Sequence, residues 1–220
     1  MKKKKPPIIR FPKAKIQTEI ADRSWHNGGD IEIALYAMSL RRAARTLIES
    51  LDLEPSPKRA WDGCPVILVY RQAVELHLKT LIDEGNHFLK TPTDSISLSK
   101  THSLRWLAQI VGQIIKTVGW ESEFKCEGVA SLADFGALVA ELESLDPVAC
   151  AVTIGRSSRD GSVPPQLQPP NVVRFAKKLD GLLDLMDAIA DALAATWDQR
   201  AGISAADKFQ TVDKIKPTIH

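Results

Sequence analysis

Three charged side chains stand at the spacing that aligns them along one side of an α-helix. Arg71, Glu75 and Lys79 fall at i, i+4 and i+8 in the run Tyr70-Arg71-Gln72-Ala73-Val74-Glu75-Leu76-His77-Leu78-Lys79, and residues four apart share a helical face. A guanidinium is a planar clamp for phosphate or carboxylate, and an ammonium is a mobile point charge. Three readings follow. The stripe is a surface ion-pair ladder, or a partly buried Arg–Glu pair that orients neighbouring helices, or a polar groove in which Arg71 binds an anion, Glu75 orients it and His102 joins from the following segment. His102 also has a structural role open to it, fixing the entry of the next helix by bonding the preceding loop. A second pair, Arg71 and His77, has five residues between its members. An imidazole titrates near neutral pH and moves protons, so this pair suits metal-free acid–base work on a phosphate. Six positions along an α-helix turn through ~600°, which leaves the two side chains ~120° apart. A catalytic role therefore needs both groups, from one subunit or two, to converge in a cleft open to solvent.

Other chemistries lack their residues. Cys64, Cys126 and Cys150 are widely spaced with no Cys-x-x-Cys pair, and the five histidines include no His-x-x-x-His. Neither a disulfide framework nor a zinc site is expected, and a reducing cytoplasm is the compartment this cysteine usage suggests. There is no Walker A loop, dinucleotide fingerprint or Gly-x-Ser-x-Gly elbow, so no cofactor is expected. His26 and His87 fall in predicted loops and read as solvated. Trp25, Trp61, Trp106, Trp120 and Trp197 read as core or interface anchors, because no alternation of basic and aromatic residues suggests base stacking.

The elements that position these groups are helical. Asp30, after the breaker Asn27-Gly28-Gly29, is read as the N-cap of a helix over 30–51, with Ile31, Leu35, Met38 and Leu47 in its apolar stripe and Arg41, Arg42 and Arg45 on other faces. A turn-rich stretch, 52–64, leads to Pro65 as first residue of a second helix that ends at Gly85. Residues 86–101 read as a polar loop, and Thr101 as the cap of a third helix over 102–118 stopped by Gly119. Ser131 caps a fourth, and a long last helix opens near Asn171 with apolar positions at 172, 175, 179, 182, 183, 186 and 189. Between the last two, Asp160-Gly161 signals a small hairpin or ordered loop within 150–166. The fold class expected is all-α, an antiparallel helical bundle of about five helices, in one domain over 17–200 with a flexible tail over 201–220.

Charge is divided along the chain. Lys2, Lys3, Lys4, Lys5, Arg10, Lys13 and Lys15 put seven positive charges and no acid into residues 1–15. Of the totals of 29 basic and 27 acidic residues, 22 and 27 remain elsewhere, a net of −5. Residues 1–16 read as a disordered basic arm, held out of helix by Pro6, Pro7 and Pro12, in which Lys2 to Lys5 could neutralise nucleic-acid phosphates. No apolar run of signal-peptide length follows MKKKK, and none approaches the ~20 residues of a membrane span. With 44% apolar and 25% charged residues, the composition is that of an ordinary globular protein.

The helix carrying Arg71, Glu75 and Lys79, a loop, and then Thr101-His102-Ser103-Leu104 resemble the HEPN superfamily, in which a helix of the form A-x-E-x-x-x-K-x-L, a loop ending Thr-His and a further helix recur. The resemblance covers roughly residues 30–195. It implies an all-α fold and a setting among prokaryotic toxins, antiphage systems and RNA-processing factors. Many members are metal-independent ribonucleases with an Arg-x4–6-His motif, often in a site completed across a homodimer. The Arg holds the scissile phosphate and the His assists proton transfer at the 2′-OH, and Arg71 with His77 matches that spacing. The family's motif usually opens the last core helix, which here reads Asn171-Val172-Val173-Arg174 with no His at the required spacing. Nor does Gly155 to Asp160 supply the Asp-x-Asp of an accompanying nucleotidyltransferase. The resemblance thus leads to a non-catalytic module binding RNA, a nucleotide or a protein partner such as an antitoxin. The alternative is an endoribonuclease, a toxin or defence effector, using Arg71 and His77.

Overall fold

The computed structural model describes residues 28–53, 61–145 and 167–201. Among them the chain forms six α-helices: α1 (Gly28–Glu49), α2 (Gly63–Gly85), α3 (Ser95–Lys100), α4 (Leu104–Val118), α5 (Leu132–Ser144) and α6 (Pro169–Ala201), with a 3-10 turn at Asn86–Phe88. No strand occurs among the described residues; the pairing of Cys126 with Val129 is an isolated bridge. The fold is an all-α bundle. The basic arm with Lys2 to Lys5, the hairpin expected within 150–166 and the tail beyond Ala201 lie outside the described residues.

Helix α2 is the centre. It packs against α1, α6 and α4, and α5 reaches the bundle chiefly through α4. Val66, Ile67, Tyr70, Ala73, Val74, Leu78, Leu81 and Ile82 are fully buried, which is why α2 shows no clean polar face in sequence. Two glycines allow the close approaches at its ends. A Cβ on Gly63 would lie 2.4 Å from the Leu167 carbonyl oxygen, and one on Gly85 2.6 Å from the Ile114 side chain. Contacts along the helices fix their directions. His102 meets α2 at Arg71 and Glu75, while Ile114 meets Gly85, so α4 runs parallel to α2. Asp187 meets His77 and Trp197 stacks on His87 at 4.3 Å, so α6 does too. Helices α1 and α5 run the other way.

Several helix ends match their sequence signals. Ser131 accepts the Asp134 backbone N–H at 3.2 Å, while Asp134 accepts from Ala130 N at 3.1 Å, a reciprocal cap. Gly119 adopts φ 83°, the left-handed conformation that closes α4. All seven apolar positions expected in the last helix are buried. Other expectations are corrected. Helix α1 begins at Gly28, so Asp30 lies inside its first turn. Its buried stripe is Ala37, Arg41 and Ala44, whereas Leu35 and Met38 are 43% and 36% exposed. Leu47, with Leu40 and Ile48, packs partly buried against the core as expected, so the misplaced positions are Leu35 and Met38, and two alanines and a paired arginine fill the most buried line. Pro65 is the third residue of α2. The polar loop contains α3, capped by Asp94, which accepts from Ser97 N at 3.0 Å. Ser103, not Thr101, caps α4.

Candidate functional site

The stripe on α2 assembles as a cluster around Glu75, whose side chain is 1% exposed. Glu75 Oε1 accepts from Lys79 Nζ at 2.8 Å and from His102 Nδ1 at 2.9 Å. Arg71 Nη1 lies 3.7 Å from Glu75 Oε2, and Arg71 Nη2 donates to the His102 backbone oxygen at 3.1 Å. Arg71, Glu75, Lys79 and His102 are therefore brought together. Helical spacing lines up the first three. The fourth arrives because α3 ends at Lys100 and Ser103 caps α4, leaving a short link in which the extended Thr101 and Ser103 flank His102 and set it against α2.

Exposure divides the cluster. The Arg71 and Lys79 side chains are 20% and 14% exposed, while that of His102 is 70% exposed. The two cations are thus turned toward the buried carboxylate, and the imidazole is the part of the cluster that solvent meets. Two cations against one carboxylate leave a charge of +1 when the ring is neutral. Satisfaction is incomplete: Arg71 Nε and Glu75 Oε2 are buried without a hydrogen-bond partner. A buried polar group in that condition costs about 1–3 kcal/mol, so the cluster holds unused donor and acceptor capacity close together.

His77 takes no part in that cluster. It is 6% exposed, on the side of α2 that faces α1 and α6. Its Nδ1 donates to the Ala73 carbonyl at 2.7 Å, a carbonyl being only an acceptor, and its Nε2 lies 3.4 Å from Asp187 Oδ1. The adjoining cavity is about 10 Å³, lined by Ala34, Thr80, Met186 and Asp187 among others, room for little more than one water. Arg71 reaches toward the segment before α4 and His77 toward α6, so within this chain the pair does not converge in an open cleft.

A second polar cluster was not anticipated. Arg41, 8% exposed, lies 3.0 Å from Asp180, 2.7 Å from Asp184 and 3.8 Å from Asp187, and Arg45 Nε lies 3.0 Å from Asp180. This clasp ties α1 to α6. Its signal is present in the sequence as Arg41/Arg45 at i, i+4 and Asp180/Asp184/Asp187 at i, i+4, i+7, though nothing local pairs the two sets. The fully buried Tyr70 lies beneath it, and burial, with the Asp180 charge beside it, pushes its hydroxyl well above the ordinary pKa. Burial, with Asp184 and Glu127 nearby, likewise raises the Cys126 thiol, which makes it a weaker source of thiolate.

Other candidates sort by exposure. Trp120 is a core residue, Trp106 and Trp197 are each 36% exposed, and His87 is exposed but held by its stack on Trp197. Among the described residues no group of three or more His, Cys, Asp or Glu could hold a metal ion, and no helix is long and apolar enough to cross a membrane. Lys2 to Lys5, His26 and Trp25 lie outside the described residues. No protein-family model, no curated protein and no solved structure matches this chain.

Proposed function

We propose that the chain is a HEPN-like helical module that binds RNA or a nucleotide through Arg71, Glu75, Lys79 and His102 and does not cleave it. A protein partner such as an antitoxin is the second ligand class that the resemblance brings. The module works as a homodimer in the cytoplasm, in a defence or toxin–antitoxin setting, with Lys2 to Lys5 adding sequence-independent attraction for phosphates. The carrying observation is the Glu75 cluster itself, a buried carboxylate holding two cations and an outward-facing imidazole with net positive charge. Such a surface favours a phosphate oxygen. His77 is 6% exposed, bonded to the Ala73 carbonyl and set against Asp187 rather than beside Arg71, which weighs for binding over cleavage.

The test is a metal-free assay on a labelled tRNA and mRNA pool in EDTA, reading binding and cleavage together. Wild type should retain RNA intact. Lys79→Ala and Arg71→Ala should each weaken binding about tenfold, the loss of one charge-assisted contact, while His77→Ala should leave affinity within about twofold, since His77 is buried. Cleavage by wild type that both Arg71→Ala and His77→Ala abolish, with folding intact, would replace this reading with the endoribonuclease one.

A further inference from the structure

We propose that an oxyanion enters the Glu75 cluster at His102 Nε2 and takes up one proton as it binds. The inference rests on reading the cluster as a phosphate site, and it names the atom that makes the contact and the condition for contact. An ionised carboxylate only accepts, so His102 Nδ1 is the donor in its 2.9 Å bond to Glu75 Oε1. That bond fixes the ring: Nδ1 keeps its hydrogen, and Nε2 is the ring nitrogen left for an incoming group.

The other cations of the cluster are partly engaged and mostly buried, 14% exposed for Lys79 and 20% for Arg71. Lys79 Nζ is bonded to Glu75, and Arg71 Nη2 to the His102 backbone oxygen. Arg71 Nε has no partner but is buried. The 70% exposed imidazole is what a ligand meets first. With the ring neutral, Nε2 offers a lone pair, which repels a phosphate oxygen. With Nε2 protonated, the same atom donates a charge-assisted hydrogen bond and the cluster rises from +1 to +2. Binding at this atom and protonation of it are therefore one linked event.

Glu75 is the carboxylate that the ring faces when it carries its second proton. It is 1% exposed, and its Oε2 has a hydrogen-bond acceptor's capacity still unused. The charges facing the ring from α2 are Glu75, Lys79 and Arg71. On its own segment the neighbours are Lys100 and Arg105, the latter paired with Glu143 of α5 at 3.0 Å. Glu75 is the sole acid of this group not spent on Arg105, so the linkage runs through Glu75 and His102.

The experiment measures affinity of the full chain for a fluorescein-labelled single-stranded oligoribonucleotide from about pH 6 to about pH 8 at fixed salt, across the range where an imidazole titrates. Wild type should lose affinity as pH rises, approaching about tenfold per pH unit where one proton is linked. His102→Gln, which keeps a donor for Glu75 but cannot titrate, should flatten the profile while its circular dichroism stays unchanged. A merely structural His102 would lower affinity at every pH without altering the slope. A flat wild-type profile, or a slope that survives His102→Gln, overturns this inference and leaves the proposed function standing. If wild type binds no RNA at any pH, the proposed function fails, and calorimetry with sulfate in two buffers of different ionisation enthalpy decides here. Proton uptake on sulfate binding that His102→Gln removes supports the linkage; binding without uptake, or no binding, overturns it.

Discussion

Glu75 carries its charge where water hardly reaches, and the groups that neutralise it are themselves mostly buried. Its worth to the fold is therefore decided by what a substitution leaves behind. Glu75→Ala strands Lys79 and Arg71, 14% and 20% exposed, beside a hydrophobic helix core. The expected cost is about 3 kcal/mol, the magnitude for breaking one side of a buried ion pair. Glu75→Gln should cost distinctly less, because an amide oxygen still accepts from Lys79 and from His102. Urea denaturation of the three proteins checks the order; equal losses from both substitutions would mean that charge outweighs hydrogen bonding here. At this scale the sequence was legible wherever partners lie within two helical turns. The i, i+4, i+8 spacing placed Arg71, Glu75 and Lys79 together, and the Thr-His loop brought in His102. His77 was harder to place, because its partner Asp187 lies on another helix and no local pattern joins them. The same distance hid Arg41, whose three carboxylates sit more than a hundred residues away.

Helix ends make the next scale testable, since α3 is only six residues long and depends on its cap. The Asp94 carboxyl is held below its usual pKa by the Ser97 backbone N–H and hydroxyl. A carboxylate depressed in the folded state stabilises above its unfolded pKa of about 4 and loses that contribution as pH falls through the lowered folded value. Hydrogen exchange at α3 amides should thus show protection that fades in acid. Asp94→Asn should remove the acid dependence, because an amide still caps but does not titrate. Glycines separate in sign. Gly119 has φ +83°, so Gly119→Ala should destabilise by about 1–2 kcal/mol through backbone strain alone, as no atom lies within 4 Å of the added carbon. Gly112 and Gly136 lie inside helices with the same free space, and alanine there should stabilise by about 0.5–1 kcal/mol. Thermal unfolding of the three variants reads both signs. The stop glycine of α4 and the Ser131 cap of α5 were legible because those signals act within one turn, whereas the cap of α4 falls at Ser103, two residues past the expected Thr101. Helix α3 was not, because six polar-rich residues show too little periodicity to stand out from a loop. The buried face of α1 was misread at Leu35 and Met38, though not at Leu47, because it is set in part by Arg41 and its distant aspartates, which hydrophobicity alone does not show.

Across the whole molecule, charge is arranged so that anion attraction is concentrated in few places. Residues 16–220 carry a net of −5, while residues 1–15 carry seven positive groups. The acids of α6 are largely neutralised within the bundle by Arg41 and Arg45, and the Glu75 cluster retains a local excess of one positive charge. The net charge of residues 16–220 opposes an RNA strand, and the arm and the Glu75 cluster are two places where positive charge gathers. The two contributions have different signatures. Phosphate contacts by the arm release counterions, so they appear in the salt dependence of binding, with about 0.7 in the log–log slope for each phosphate neutralised on a single strand. On the proposed reading the cluster makes a single oriented contact at the exposed His102, so it contributes at most about one phosphate to the salt slope. Deleting residues 1–15 should therefore lower affinity at low salt and flatten the salt slope by several units at most, while leaving unfolding by urea unchanged. Affinity of the truncated chain near physiological salt should still fall on Lys79→Ala. If truncation abolishes binding at every salt concentration, the arm is the whole of the RNA affinity and the Glu75 cluster is a structural ladder. If truncation changes nothing, the arm makes no phosphate contacts and the cluster carries the binding alone.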